Sequence, residues 1–457
     1  MTAPATEAGQ DGRGGRRTGL LRHRDFRLFW LGQTTSQFGS AITTVALPLV
    51  AVGVLNASTL HVALLHAAAW LPWLLLGLPA GVWVDRLPRR PLMIACNVTA
   101  LVLFVSVPVA AGAGALTLGH LLTVALLAGA TAVFFDTAYQ VYLPSLLRPD
   151  ELPEGNAKLH GSEAAAQVAG PGVGGLLAQL FGAVSGLFAD AVTFLISAVC
   201  LIAVRHREPA VARQYPASGA TGSGATGSGP TGSASGAPGS GSGAAGSRRA
   251  LRAEIGDGLR FLAGDPYLRS LAAFGAAANL ALTGYQSLLI VFLVRENGVA
   301  AGAVGGIVAL MSCGGLLGAF LATPVARRFG TARGLLLCQL CAAPFALLIP
   351  LAAPGPRLAL VVLAGVAVGT GVVAANIIKD SFRQTYTPRP LLGRVIAGMQ
   401  LVNYGAIPLG ALLAGLLGTA LGLRPTLWIM TGGLVLSTGI LLTGPISRHR
   451  DLPAHPA

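Results

Sequence analysis

Apolar residues in this chain gather into runs of about twenty with few charges, separated by short connections rich in Arg, Gly and Pro. Twelve runs stand out, at roughly 29–55, 61–84, 91–112, 117–140, 161–182, 184–204, 268–294, 300–325, 332–353, 357–378, 397–420 and 425–446. Each is long enough for a helix to cross the ~30 Å hydrocarbon core of a bilayer. In lipid every backbone N–H and C=O must be satisfied internally, which runs of this length and composition achieve only as helices. The pattern therefore predicts an all-α, polytopic membrane protein with twelve transmembrane helices.

Composition strengthens this reading. Of 457 residues, 53% are apolar and mean hydropathy is +0.68, more than a soluble domain hides in its own core. The N-terminus, "MTAPATEAGQDGRGGRRTGLLRHRDFR", is polar and basic with no short apolar core, so no signal peptide is expected. Charge then sets the orientation. With an even number of spans both termini share a side, and all but three of the 31 basic residues lie there. The exceptions are Arg295, Arg357 and Arg424. By the positive-inside rule the termini are cytoplasmic. The net charge of +14 is accounted for by a basic face beside anionic lipid, and no nucleic-acid partner is expected. The five cysteines fall within apolar runs without a CxxC pair or a histidine at ligand spacing, so they predict small core residues and no metal site. Arginine supplies every basic residue except Lys158 and Lys379, and with heavy Ala and Gly usage this is the pattern of a GC-rich bacterial genome.

The middle of the chain divides it. Residues 214–247, "QYPASGATGSGATGSGPTGSASGAPGSGSGAAGS", carry no charge and too little apolar surface to fold, which predicts a flexible tether. The following "RRALRAEIGDGLRFL" places Leu251, Ile255, Leu259 and Leu262 at helical spacing, as in a helix lying on the inner membrane surface. The expected organisation is a cytoplasmic tail (1–28), a six-helix half (29–204), a cytoplasmic linker (205–267), a second six-helix half (268–446) and a cytoplasmic tail (447–457). "GGLLAQLFG" from Gly174 is echoed by "GALLAGLLG" from Gly410, in the fifth and eleventh runs. "VDRLPRR" is echoed loosely by "VARRFGTAR" from Val325, after the second and eighth. Echoes at equivalent positions favour two pseudo-symmetric halves, the arrangement of secondary transporters with a central site between repeats.

Five stretches carry a resemblance to a known family. "GVWVDRLPRR" resembles the signature of the loop between helices two and three in the major facilitator superfamily, matching at Gly81, Asp85, Arg86, Arg89 and Arg90. "AGPGVGG" resembles the Gly-Pro-x-x-Gly-Gly element of exporters in that superfamily, at Gly170, Pro171, Gly174 and Gly175. "FFDTAYQVYLPSLL", "GLRFLAGDPYLR" and "PRPLLGRVIAGMQ" are similar to its macrolide-efflux and enterobactin-exporter subgroup of drug–proton antiporters. The resemblance implies that Asp85 gates the cytoplasmic side by meeting the start of helix eleven and Arg394, near a helix N-terminus that favours a carboxylate. A topology anchor alone would need neither Gly81 nor Asp85. In the second half Ala326 stands where Asp85 does, so the gate is expected to be asymmetric. The glycines and Pro171 of the fifth run imply close helix contact, a bend, and a bias towards export; ordinary glycine-mediated packing is the alternative.

Candidate transport residues are polar groups in the spans. Gln33, Ser36, Gln37, Ser40 and Thr44 form one stripe on span one, and Asn279, Thr283 and Gln286, with Tyr285 beside them, form another on span seven. The resemblance makes helices one, four, seven and ten cavity helices, so Gln33, Gln37, Tyr139, Asn279, Tyr285 and Gln286 are candidate substrate contacts; interhelical hydrogen bonding is the competing use. Among intramembrane acids, Asp136 with Tyr139 and Gln140 a turn away, and Glu163 on span five, are the candidates for proton coupling. Asp190 is assigned a structural role. A charged acid at mid-bilayer costs roughly 2.5–3.5 kcal/mol, so each must be protonated, paired or hydrated. "LLAGATAVFF" contains no arginine of the kind often found in span four of other drug–proton antiporters, which leaves their proton relay without a counterpart here.

The sequence thus predicts a monomeric, proton-coupled exporter of drugs or amphipathic natural products in a bacterial cell membrane, moving a small-molecule substrate and protons across the lipid bilayer. No cofactor is expected, and no GxxxxGK[ST] loop marks ATP as the energy source. An importer or uniporter of a small metabolite on the same fold is the alternative. A membrane enzyme or receptor is more remote, because no nucleophile–base or metal constellation is present.

Overall fold

A computed structural model of the chain describes residue 20 and residues 23–84, 87–148, 150–205 and 260–453. Asp85 and Arg86, the tether 214–247 and most of the helix expected after it lie outside the described residues. Within them the chain is helical and has no strand. The first half comprises α1 (Arg24–Gly53), α2 (Thr59–Val84), α3 (Arg89–Gly112), α4 (Leu118–Leu146), α5 (Leu152–Phe181) and α6 (Val184–Ala203). The second comprises α7 (Pro266–Arg295), α8 (Ala301–Phe329), α9 (Thr331–Ala342), α10 (Ala359–Tyr386), α11 (Arg389–Leu421) and α12 (Leu423–Thr443).

Local chemistry explains the element ends. Thr117 caps α4 by accepting from the His120 N–H, and Asp265 caps α7 by accepting from the N–H groups of Tyr267 and Leu268. Gly182 and Gly422 take φ of +86° and +91°, reversing the chain between α5 and α6 and between α11 and α12. Helix α9 tightens into a 3₁₀ segment over Ala343–Leu351, where Pro344 and Pro350 cannot supply backbone N–H donors.

Several helices outrun the apolar runs. α5 begins at Leu152, α4 continues to Leu146, and α10 continues to Tyr386. In α5 and α10 the added turns are polar and lie on the side where the chain begins and ends, so hydropathy alone stops short of them. Eleven described helices are long and apolar enough to cross a membrane. The twelfth, α5, falls short because its first half carries Glu154, Lys158, His160 and Glu163 and its second half is diluted by Gln167, Gln179, Pro171 and four glycines. Large apolar side chains face outward, including Phe320 at 79% exposure and Leu436 at 78%, as a lipid-facing surface requires. Of the cysteines only Cys96 is buried; the other four are partly or fully exposed and all are free, a difference from the core role expected of them.

The two halves repeat one packing scheme. In the first, α1 packs on α5 and α6, α4 on α2 and α3, and α3 on α6. In the second, α7 packs on α11 and α12, α10 on α8 and α9, and the 3₁₀ end of α9 on α12. The sequence echo has a spatial counterpart: Gly174 abuts Ile42 of α1, as Gly410 abuts Leu280 of α7. The echo drifts at its end, since Gly182 terminates α5 whereas Gly418 lies inside α11 against Thr59, and α11 runs a further turn to Gly422. Leu262, placed on the membrane surface by its spacing, is instead 5% exposed within the second half's core beside Leu268 and Phe274.

The halves meet through α5 with α8 and α2 with α11. The close approaches cluster at the end away from the chain termini, where Gly175 touches Ala301 and Gly305, and Gly415 touches Leu60 and Ala63. There Arg295 also donates to the carbonyl of Ala57 in the opposite half, at 2.5 Å. At the termini end, a side chain built on Gly81 or Gly393 would meet open space. The halves are thus sealed together at the end away from the termini.

Candidate functional site

Each half encloses a cavity inside the bundle. The first, about 340 Å³, is lined by Gln33, Ser36, Gln37, Ser40 and Thr43 of α1, Trp70 and Trp73 of α2, and Asp136 of α4. The second, about 330 Å³, is lined by Asn279 of α7, Asn376, Lys379, Asp380 and Arg383 of α10, and Asn403 and Tyr404 of α11. Aromatic rings join them across the seam between halves. Tyr404 lies 6.0 Å from Trp70 and 5.8 Å from Trp73, centroid to centroid, and the two indoles are 6.1 Å apart.

The acids separate by environment. Asp136 faces the first cavity and makes neither hydrogen bond nor ion pair among the described residues. Asp190, 1% exposed, accepts from the hydroxyls of Thr43 and Thr193, at 2.5 and 3.1 Å, and so ties α6 to α1. Gly39 makes room for this contact, since a side chain there would collide with Thr193 and Asp190. Asp190 is satisfied; Asp136 is not. Glu163 is half-exposed, pairs with His160 at 3.2 Å and lines neither cavity, though it lies close enough to Asp136 for their charges to repel.

The polar stripes divide likewise. On α1 Gln33 and Gln37 line the first cavity, while Thr44 bonds its own helix at the Ala41 carbonyl and Thr43 enters the cavity instead. On α7 Asn279 lines the second cavity, but Tyr285 and Gln286 line neither. At 100° per residue Tyr285 sits about a third of a turn from Asn279, and it is 1% exposed in the apolar core. Gln286 shares the Asn279 face but lies two turns farther along, beyond the cavity. Tyr139 stacks on Phe29 at 5.7 Å and 11°, outside both cavities.

The loop motif has one clear structural role here. Arg90 donates from Nε to the Leu201 carbonyl at 2.9 Å and from Nη2 to the Ile202 carbonyl at 2.8 Å, capping the negative end of α6. Arg89 begins α3. Arg394 lies inside the early turns of α11, which begins at Arg389, rather than ahead of it. Among the described residues, nothing lies within 4 Å of where a Gly81 side chain would begin.

The span-five motif is the seam itself. Gly170 and Gly174 lie against Ala41 and Ile42 of α1, while Pro171 and Gly175 lie against Gly305 of α8. Two faces of one helix are thus stripped of side chains, one for its own half and one for the other.

Sequence reasoning missed the charged face of the second cavity. Lys379, Asp380 and Arg383 follow the apolar run 357–378, and so read as a connection. The spacing of Asn376, Lys379, Asp380 and Arg383 is nevertheless that of one helical face, and it held the signal. In the sequence, Trp70, Trp73 and Tyr404 are indistinguishable from core aromatics.

Matching six-helix bundles, each holding a cavity with polar lining, are the architecture of a membrane protein of the secondary-transporter type. The profile of the Major Facilitator Superfamily matches residues 29–378, and the chain belongs to that superfamily. It is 28% identical over 430 residues to the multidrug efflux pump Tap of Mycolicibacterium fortuitum, covering 92% of this chain and 96% of that pump. It is 26% identical over 433 residues to the pump of the same name from Mycobacterium tuberculosis H37Rv, covering 91% and 92%. Among solved structures it resembles a bacterial homologue of the iron transporter ferroportin in its inward-facing state (TM-score 0.70, 16% identity, 93% of this chain and 98% of that one). It also resembles the nucleoside transporter NupG (TM-score 0.69, 12% identity, 93% and 100%). At these identities the solved structures speak for the fold.

Proposed function

We propose that the chain is a proton-coupled exporter of amphipathic small molecules that works by alternating access, and that the state described here opens to the cytoplasm. The carrying observation is Asp136, an acid without a partner on the wall of an intramembrane cavity. The efflux function named for the Tap relatives supports the direction, and the basic end bearing both termini supports the orientation. Substrate enters from the open end and sits between the halves against Trp70, Trp73 and Tyr404, with Gln33, Gln37 and Asn279 as polar contacts. Closure at the open end and parting of the seam at Gly175 and Gly305 then expose it to the other side. Asp136 takes up or gives off the proton that sets the balance between states. Accumulation of substrate by everted membrane vesicles tests the direction; accumulation only by right-side-out vesicles would support uptake instead.

The gate and the linker each lead to an expected outcome. In the cytoplasm-closed state the α2–α3 loop meets the start of α11, with Asp85 supplying the charge and Gly81 the room. Asp85→Asn keeps the size and removes the charge, so it is expected to insert normally and transport poorly; transport equal to wild type at equal expression would remove the gate assignment. The tether carries no chemistry, and loop closure depends only weakly on its length. Shortening it within 219–246, while leaving enough chain to join the halves, should leave export intact. Loss of export from a well-inserted deletion would assign that segment a function.

A further inference from the structure

The second cavity holds more positive donors than its own acids satisfy. Arg383 pairs through Nη2 with Asp380 at 3.0 Å, yet its Nε is buried without a hydrogen-bond partner. One turn earlier on the same face, Lys379 makes no ion pair among the described residues and sets its ammonium 5.3 Å from the centre of the Phe274 ring. Both side chains line the cavity, and so does Asn403, whose amide NH2 can donate to an anion. A buried charged donor left unpaired is costly. One carboxylate beside two cations leaves a net positive charge, and Asp380, at 55% exposure, leans partly out of the site.

We propose that this cavity is an anion subsite, and that the transported molecules include aromatic amphiphiles bearing a carboxylate or similar oxyanion. The oxyanion lies between Lys379 Nζ and Arg383 Nε, within reach of the Asn403 amide, and the aromatic body lies across Tyr404 towards Trp70 and Trp73. The first cavity has no lysine, arginine or histidine in its lining, so the acid group has one place to go. The subsite rests on the two cavities and the aromatic seam that joins them forming one central cavity for substrate, and the test separates that reading from the subsite itself.

Binding of N-dansyl-leucine and of its uncharged methyl ester is measured on purified full-length protein by energy transfer from tryptophan. The wild type is expected to bind the acid at least about tenfold more tightly than the ester, the yield of one or two charge-assisted hydrogen bonds. Lys379→Ala should erase that preference by weakening the acid alone, and Lys379→Arg should keep it. Equal wild-type affinity for acid and ester, with binding lost in Trp70→Ala and Trp73→Ala, would overturn the anion subsite while leaving the central cavity in place. Equal weakening of both ligands by Lys379→Ala would overturn the subsite in the same way. No binding of either ligand, or binding indifferent to Trp70 and Trp73, would overturn the cavity reading and the subsite with it.

Discussion

Asp136→Asn is expected to abolish proton-driven accumulation of substrate while leaving substrate binding within a few-fold of wild type. The substitution keeps shape and hydrogen-bonding capacity and removes the titrating charge. A carboxylate costs roughly 2.5–3.5 kcal/mol at mid-bilayer, and its hydration differs between an open and a closed cavity. If most of that cost is felt in one state only, protonation shifts the balance between states by about a hundredfold. No neighbour blunts the effect, because Asp136 has no partner among the described residues. Substrate-induced proton release from purified protein reads the coupling directly. Release should vanish in Asp136→Asn and persist in Glu163→Gln, since Glu163 is half-exposed and already paired with His160. The reverse result would move the coupling role to Glu163, and full release from both variants would remove both from the mechanism.

The second large effect is expected at the seam. A Cβ on Gly175 would lie 2.7 Å from the Gly305 Cα and 2.6 Å from the Ala301 carbonyl oxygen, and backbone atoms cannot yield as a flexible side chain can. Gly175→Leu must therefore part α5 from α8 at the sealed end. Overpacking typically costs about 1–3 kcal/mol, which changes the population of the sealed state by roughly 5- to 150-fold. Transport should fall accordingly, while the protein still inserts. Ser40 lines the first cavity, so Ser40→Cys in a background lacking the five native cysteines reports access. A membrane-impermeant maleimide added outside intact cells should label it faster in Gly175→Leu than in Gly175. Unchanged labelling together with normal transport would mean that the seam does not seal.

Fold is more legible in this sequence than function. Runs of apolar residues report burial in lipid directly, so twelve helices and their alternation follow from composition. Their polar extensions do not, because the turns added to α5 and α10 carry the charges that a hydropathy reading treats as an exit from the membrane. Lys379 and Arg383 escape notice for that reason. Asp136 and Gln33 are legible because polar groups are expensive in a span. Tyr285 misleads because adjacency along a helix is not adjacency on its surface. Gly175 can be recognised as a helix-contact residue, but only the packed structure shows its partner to be Gly305 in the other half.

In the proposed mechanism a proton gradient drives substrate in the opposite direction past Asp136 and the aromatic seam. Purified protein in liposomes with an imposed pH difference and no other energy source isolates it, using a permanently charged fluorescent substrate and protein-free liposomes as the control for passive entry. The expected result is accumulation when the lumen is acidic, collapse on adding a protonophore, and no accumulation by Asp136→Asn. Accumulation only when the lumen is alkaline, or equilibration without accumulation under either gradient, would contradict it.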